Sequence, residues 1–186
     1  MEVAMREAEV AFEEGEVPIG AVLVRRGAII AAAHNRVEAL QDASAHAELL
    51  CARAAAAAEK TWRLSESTLY CTVEPCPMCL AALHAFRIER LVYGTINPRL
   101  GAVESAMRSS SDASHPYHAL NITGGVLSRR ASELMKAFFR RRRDQGPRYD
   151  VKNMAALPGH GHEKPSAAPV TIDACDGVVG DGPDLW

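Results

Sequence analysis

No apolar run in the 186 residues approaches the ~20 that a membrane span needs, and the N-terminus lacks a secretory-signal profile. A transit-peptide profile is missing too, because residues 1–16 are acidic where such peptides are rich in Arg. Strong net charge is absent: the formal value is −2, so overall charge does not point to nucleic acid. Nor do the cysteines suggest a disulfide frame. Five is an odd count, and Cys76 and Cys79 form a C-x-x-C pair. Without a secretory signal, that pattern favours a reducing compartment and metal or redox chemistry, so the chain is not expected to be secreted. No internal repeat is visible.

What is present reads as one domain over 1–145 followed by a tail over 146–186. Ala4, Met5, Ala8, Ala11 and Phe12 fall on one helical face, and Gly15 suits the helix end. Ile19–Val24 and Ala28–Ala33 are apolar runs around Arg25-Arg26-Gly27, a β-hairpin pattern. Ala45–Glu59 is Ala-rich and free of Gly and Pro, hence a helix. Thr68–Val73 is strand-like, Pro77–Phe86 helical and Leu91–Thr95 a strand. Residues 97–121 suit a long loop with at most short helical pieces. Ser128 is placed to cap a last helix reaching about Arg143. Beyond Gly146, five prolines among Gly, Ala and Asp suit a disordered tail. Alternating strands and helices imply an α/β sandwich around one sheet.

The chemistry concentrates in two short stretches. His46-Ala47-Glu48 opens one predicted helix, and Pro75-Cys76-Pro77-Met78-Cys79 opens another. A C-x-x-C at a helix start aims two sulfurs at one point, and the helix N-terminus and a metal both favour thiolates. His46 supplies a nitrogen, and three protein ligands leave a fourth position on Zn2+ for water. Zinc lowers the pKa of that water towards ~7. Glu48, two residues from His46, is close enough to act as general acid and base without binding the metal. A lone C-x-x-C also fits a redox pair or half of a structural zinc site, and a lone H-x-E says almost nothing. Together they match the H-x-E…P-C-x-x-C pattern of zinc deaminases.

Other candidates read more plainly. Cys71 would close the site as a fourth ligand, but its apolar run favours a buried structural thiol. Cys51 also reads as core, Cys175 as a free thiol, and His160 with His162 as solvated. Between Arg129 and Arg148 stand eight basic residues against two acidic ones, with Arg140, Arg141, Arg142 and Arg143 consecutive. They suit a phosphate-binding surface, or an ordinary solvated helix end. Phe138 and Phe139 read as core anchors.

The chain resembles the tRNA-specific adenosine deaminases of bacterial and plastid type, within the cytidine-deaminase-like superfamily, from about Met5 to Arg143. The likeness rests on Glu16-Val17-Pro18-Ile19-Gly20-Ala21-Val22, His34-Asn35-Arg36, Ala45-His46-Ala47-Glu48 and Trp62-Arg63-Leu64. It continues through Thr68-Leu69-Tyr70, Glu74-Pro75-Cys76-Pro77-Met78-Cys79 and Phe138-Phe139-Arg140. It implies a three-layer α/β/α sandwich with a mixed five-stranded sheet, a homodimer, and one Zn2+ per subunit on His46, Cys76 and Cys79. Glu48 is implied as proton shuttle. Asn35, Val17 and Ala45 are implied as contacts to the target nucleoside in the anticodon loop of an arginine tRNA. The implied compartment is the cytoplasm if bacterial, or the plastid if from a plant or alga.

Two departures stand out. Leu80-Ala81 replaces the usual Ala-Gly after the second metal Cys. Asn97 stands where many members have Asp near the sugar, and an amide donates as well as accepts, so minor activity on single-stranded DNA is expected. The stretch 109–118 is richer in Ser and His than the family pattern. The rival readings are a deaminase of free bases or nucleosides (cytosine, cytidine or guanine), a non-catalytic zinc module or partner subunit, and a relative acting mainly on DNA.

Overall fold

The computed structural model describes residues 1–105 and 118–146. The tail after Gly146, Arg148, His160, His162, Cys175 and all but the last residue of the stretch 109–118 lie outside the described residues.

The chain opens with α1 (Glu2–Glu13), whose buried face is Ala4, Met5, Ala8 and Ala11, as the apolar spacing predicts. A hairpin follows, β1 (Gly20–Arg25) and β2 (Ala28–His34), turning through Arg26 and Gly27, both at positive φ. Then come α2 (Val37–Leu40), α3 (Ala47–Glu59), β3 (Ser67–Val73), α4 (Pro77–Ala85) and β4 (Arg90–Thr95). The short β5 (Asn121–Thr123) and the long α5 (Ser128–Asp144) close the described fold. The sheet order is β2-β1-β3-β4-β5. β1 runs antiparallel to β2 and β3, while β3, β4 and β5 are parallel, so the five-stranded sheet is mixed.

Strand periodicity sorts the two faces. Ala21, Leu23, Leu69, Cys71, Leu91 and Tyr93 share a core with Ala47, Cys51, Ala52 and Ala55 of α3 and Leu83 of α4. Their neighbours along the strands serve the opposite layer, where α1 and α5 pack against the sheet and each other. There Gly94 backs onto Ala131 of α5, and Gly20 lies so close to α1 that a Cβ would meet the Ala4 carbonyl and the Ala8 nitrogen. The result is the three-layer α/β/α sandwich.

Several local expectations shift. α3 begins at Ala47 rather than Ala45, because His46 is extended at the N-cap. Ser128 does not cap α5: the N-cap is Leu127, at φ 61, and Ser128 is the first helical residue. α2 and β5 fall in stretches with no periodic signal. Tertiary contacts make them: Glu16 accepts from the backbone N–H groups of Glu38 and Ala39 in α2, and β5 pairs with β4. Phe138 is buried as expected, but Phe139 is exposed, with its ring against that of Phe138.

Candidate active site

Two helix N-termini converge just beyond the carboxyl end of β3. His46 is the N-cap of α3 and Cys76 the N-cap of α4, both extended, and Pro77 takes the first helical position of α4. The turn before α3 is fixed by Asp42, which accepts from the Ser44 N–H and hydroxyl at 2.8 and 2.7 Å. The first helical N–H, that of Ala47, donates to Asn35 Oδ1 at 2.9 Å. The imidazole is thus carried on a stiff support.

His46, Cys76 and Cys79 come together with ligand atoms within 4.8 Å of one another. His46 Nδ1 faces both sulfurs, 3.6 Å from Cys76 Sγ and 3.5 Å from Cys79 Sγ. Bonds of about 2.1 Å to nitrogen and about 2.3 Å to sulfur at a tetrahedral angle set N and S about 3.5 Å apart. The spacing therefore fits one zinc ion per subunit. Cys71 takes no part: it is buried in β3, its thiol directed to the Val73 carbonyl at 3.1 Å. Burial pushes the Cys71 thiol well up and the Cys51 thiol to about 12, so both behave as core residues. A hydrogen bond from Cys79 holds the Cys76 thiol down at about 4 against its burial, with His46 helping. Cys79, sharing that bond, is raised. Metal binding favours the thiolate form of both.

Glu48 lies on the first turn of α3, 3% exposed, and its Oε2 has no hydrogen-bond partner among the described residues. Burial raises its pKa to about 6, opposed in part by the charge of His46. A buried carboxylate with a raised pKa beside three candidate metal ligands has the surroundings of a functional group.

The remaining candidates are placed as follows. Asn35 is 3% exposed with its carbonyl oxygen committed to Ala47, Ala45 is fully buried, and Val17 is half-buried. Asn97 Oδ1 accepts from the N–H groups of Arg99 and Leu100 at 3.3 and 3.2 Å, closing a turn. Leu80 packs against the core and Ala81 is exposed, so the departure from Ala-Gly is accommodated without crowding. On α5, Arg140 and Arg143 are exposed, and Arg142 lies near the Phe138 ring. Arg141 stacks on the Phe12 ring at 3.9 Å and donates to the Phe12 carbonyl. Of the four consecutive arginines, two therefore lie against aromatic rings and two are exposed.

Sequence reasoning missed two buried carboxylates. Glu16 anchors α2, and Glu74 gathers the loop after β4, accepting from Asn97, Val103, Glu104 and Ser105. For Glu74, burial acts to raise the pKa, but the hydrogen bonds from Ser105, Asn97 and Glu104 prevail and lower it. The available signal was an acid inside an apolar stretch directly before a Pro-containing turn, in Glu16-Val17-Pro18 and Glu74-Pro75.

Residues 1–95 match the sequence family described as the cytidine and deoxycytidylate deaminase zinc-binding region. The tRNA-specific adenosine deaminase of Agrobacterium fabrum is 45% identical over 143 residues, covering 77% of this chain and 93% of that protein. The chain belongs to the tRNA-specific adenosine deaminases. The chloroplastic tRNA(adenine(34)) deaminase of Arabidopsis thaliana is 43% identical over 157 residues, 76% of this chain but only 12% of that longer protein. A solved structure from work on A-to-I editing by tRNA deaminases at the wobble position superposes with a TM-score of 0.67 at 44% identity. That superposition covers 72% of this chain and 96% of the other. The family is one of zinc hydrolases, and the His/Cys/Cys cluster fits one Zn2+ per subunit. No helix among the described residues is long and apolar enough to cross a membrane.

Proposed function

We propose that this chain converts adenosine to inosine at the wobble position of a tRNA anticodon, with arginine tRNA as the substrate. The observation that carries the reading is the meeting of His46, Cys76 and Cys79 around one point beside buried Glu48, whose Oε2 has no hydrogen-bond partner among the described residues. Zinc held by those three residues supplies Lewis acidity that makes water nucleophilic near neutral pH. The target base must first leave its stack, which is easiest in a single-stranded loop. Glu48 then accepts the proton that water gives up as its oxygen bonds to C6 of adenine. It delivers that proton to N1, then takes the proton of the new C6 hydroxyl and hands it to the departing amine; the C6–N bond breaks, the C6 carbonyl forms, and ammonia leaves. Because Asn35 spends its carbonyl on Ala47, its amide NH2 is the group assigned to the nucleoside, as a donor. Val17 and Ala45 are assigned to the wall of the base pocket, and Arg140, Arg142 and Arg143 to phosphate contact.

The test is deamination of an arginine tRNA transcript carrying adenosine at the wobble position, read by inosine-dependent sequencing, with Glu48→Ala as control. Inosine at that one position, absent with the variant, is expected. No inosine from zinc-loaded protein would move the assignment to free-base deaminases. Weak activity on single-stranded DNA is part of the reading, because Asn97 keeps the acceptor an Asp would supply and adds a donor. Complete inactivity on a DNA stem-loop at enzyme excess removes that part. A homodimer is proposed as well, supported by the exposed apolar side chains of Met78, Ile96 and Leu100, and sedimentation equilibrium decides it. The proposed compartment is bacterial cytoplasm or plastid, checked by fractionation of the source cells.

A further inference from the structure

Glu74 stands two residues before the metal-ligand candidate Cys76, is 2% exposed, and its carboxylate faces a cage of donors from one distant segment. Oε1 accepts the backbone N–H groups of Val103, Glu104 and Ser105 at 2.9, 2.6 and 3.0 Å. Oε2 accepts the Asn97 N–H at 2.9 Å and the Ser105 hydroxyl at 2.5 Å. The Ala102 N–H donates to the Pro75 carbonyl at 2.9 Å, and Gly101 packs so near that a Cβ would strike the Glu74 carboxylate. The 97–105 loop is thereby registered on the turn that carries Cys76, not merely on the end of β4. Only a carboxylate fits the cage. Gln offers one acceptor oxygen, and its NH2 would stand against backbone N–H groups on the other side.

We propose that Glu74 is a positioning residue that sets where the bound nucleotide sits, by fixing the loop bearing Asn97 against the metal-binding turn. The proposal rests on the reading above in which Asn97 faces the target nucleotide. Glu74 itself touches neither substrate nor metal. Its loss therefore bears on the fit of the nucleotide more than on the proton transfers at Glu48.

Glu74→Gln in the full chain tests it, with zinc content, steady-state kinetics on a tRNA stem-loop, and amide hydrogen exchange measured together. One zinc per chain is expected, with KM raised about tenfold and kcat changed by less than about threefold. Exchange at Val103, Glu104 and Ser105 is expected to accelerate about tenfold or more. Gly101→Ala pushes the loop from its other side and is expected to raise KM similarly. The double variant should be no worse than either single one, because both release one contact. Should Glu74→Gln fail to fold, Gly101→Ala and Ser105→Ala carry the same KM-against-kcat measurement. Loss of zinc, a fall in kcat at constant KM, or additive effects would overturn the proposal. Wild-type protein is the internal control: no inosine from it sinks the tRNA reading, while the exchange rates still report whether Glu74 holds the loop.

Discussion

Glu48 is the residue at which burial and chemistry pull together. Burial pushes its carboxyl up to about 6 by penalising the charged form, and the general base proposed here must be charged to accept a proton. The rate should therefore fall on the acid side, with an apparent pKa of 6 or lower, since a bound dication favours the carboxylate. A kcat/KM profile against pH checks this, and a limb well above 6 would speak against Glu48 as the base. In metal-free protein the same raised pKa is a stability cost. The neutral acid is favoured below its unfolded pKa, and that advantage is lost as pH rises through about 6. The loss is on the order of 2 kcal/mol for a shift of this size. Glu48→Gln should then gain stability over metal-free wild type as pH rises from 5 to 7, and thermal melts across that range would show the gap widen. The meeting of His46, Cys76 and Cys79 was legible in sequence, because candidate metal ligands announce themselves by particular atoms at short spacing. Glu16 and Glu74 were not, because their partners, mostly backbone N–H groups, lie 22 to 31 residues away, and the one local signal, an acid just before Pro, does not say what it will hold.

At the scale of elements, α1 and α5 show how much a helix depends on what it meets. Gly20 lets α1 lie directly on β1, with Ala8 N 2.5 Å and Glu7 Cβ 2.7 Å from where a Cβ would stand. Backbone cannot yield as a flexible side chain does, so Gly20→Ala should cost about 1–3 kcal/mol, seen as a melting temperature several degrees lower. An unchanged melting point would mean that α1 shifts freely. On α5 the arginines separate by their contacts. Arg141 is tied to Phe12, so Arg141→Ala should lower stability, whereas replacing exposed Arg140 and Arg143 should leave the melting point alone. The latter pair should instead weaken tRNA binding and reduce the salt slope by about 1 to 2. Unchanged affinity would leave them as ordinary charges at a helix C-terminus. The long helices α1, with its periodic apolar face, and α3, Ala-rich and free of Gly and Pro, were legible from sequence. The four residues of α2 and three of β5 carry no period to read, and they exist because Glu16 and β4 supply their hydrogen bonds.

For the whole molecule, the question is what the metal holds together. Its three candidate ligands sit at the starts of α3 and α4, which pack on the same side of the sheet. The core beneath, built on Leu23, Leu69, Leu91 and Tyr93, is a cluster of buried apolar residues, which should collapse without an ion. Chelation should therefore leave the far-ultraviolet circular dichroism at 25 °C almost unchanged. It should nonetheless lower the melting point by about 10 °C, since a ligand at a thousandfold excess over its dissociation constant contributes roughly 4 kcal/mol. Turnover should vanish with the metal and return when zinc is restored. The same measurements on a chain ending at Gly146 would ask whether residues 1–145 form the whole catalytic domain, as proposed: zinc binding, melting point and turnover should all persist. A metal-free chain that unfolds outright would make the ion a folding element and return the site to the structural-zinc class. Activity surviving complete removal of zinc would detach the reaction from His46, Cys76 and Cys79. Between those outcomes lies the expected one, in which a preformed sandwich brings two helix starts close enough for one ion to bridge, and the ion stiffens the two turns that carry its ligands.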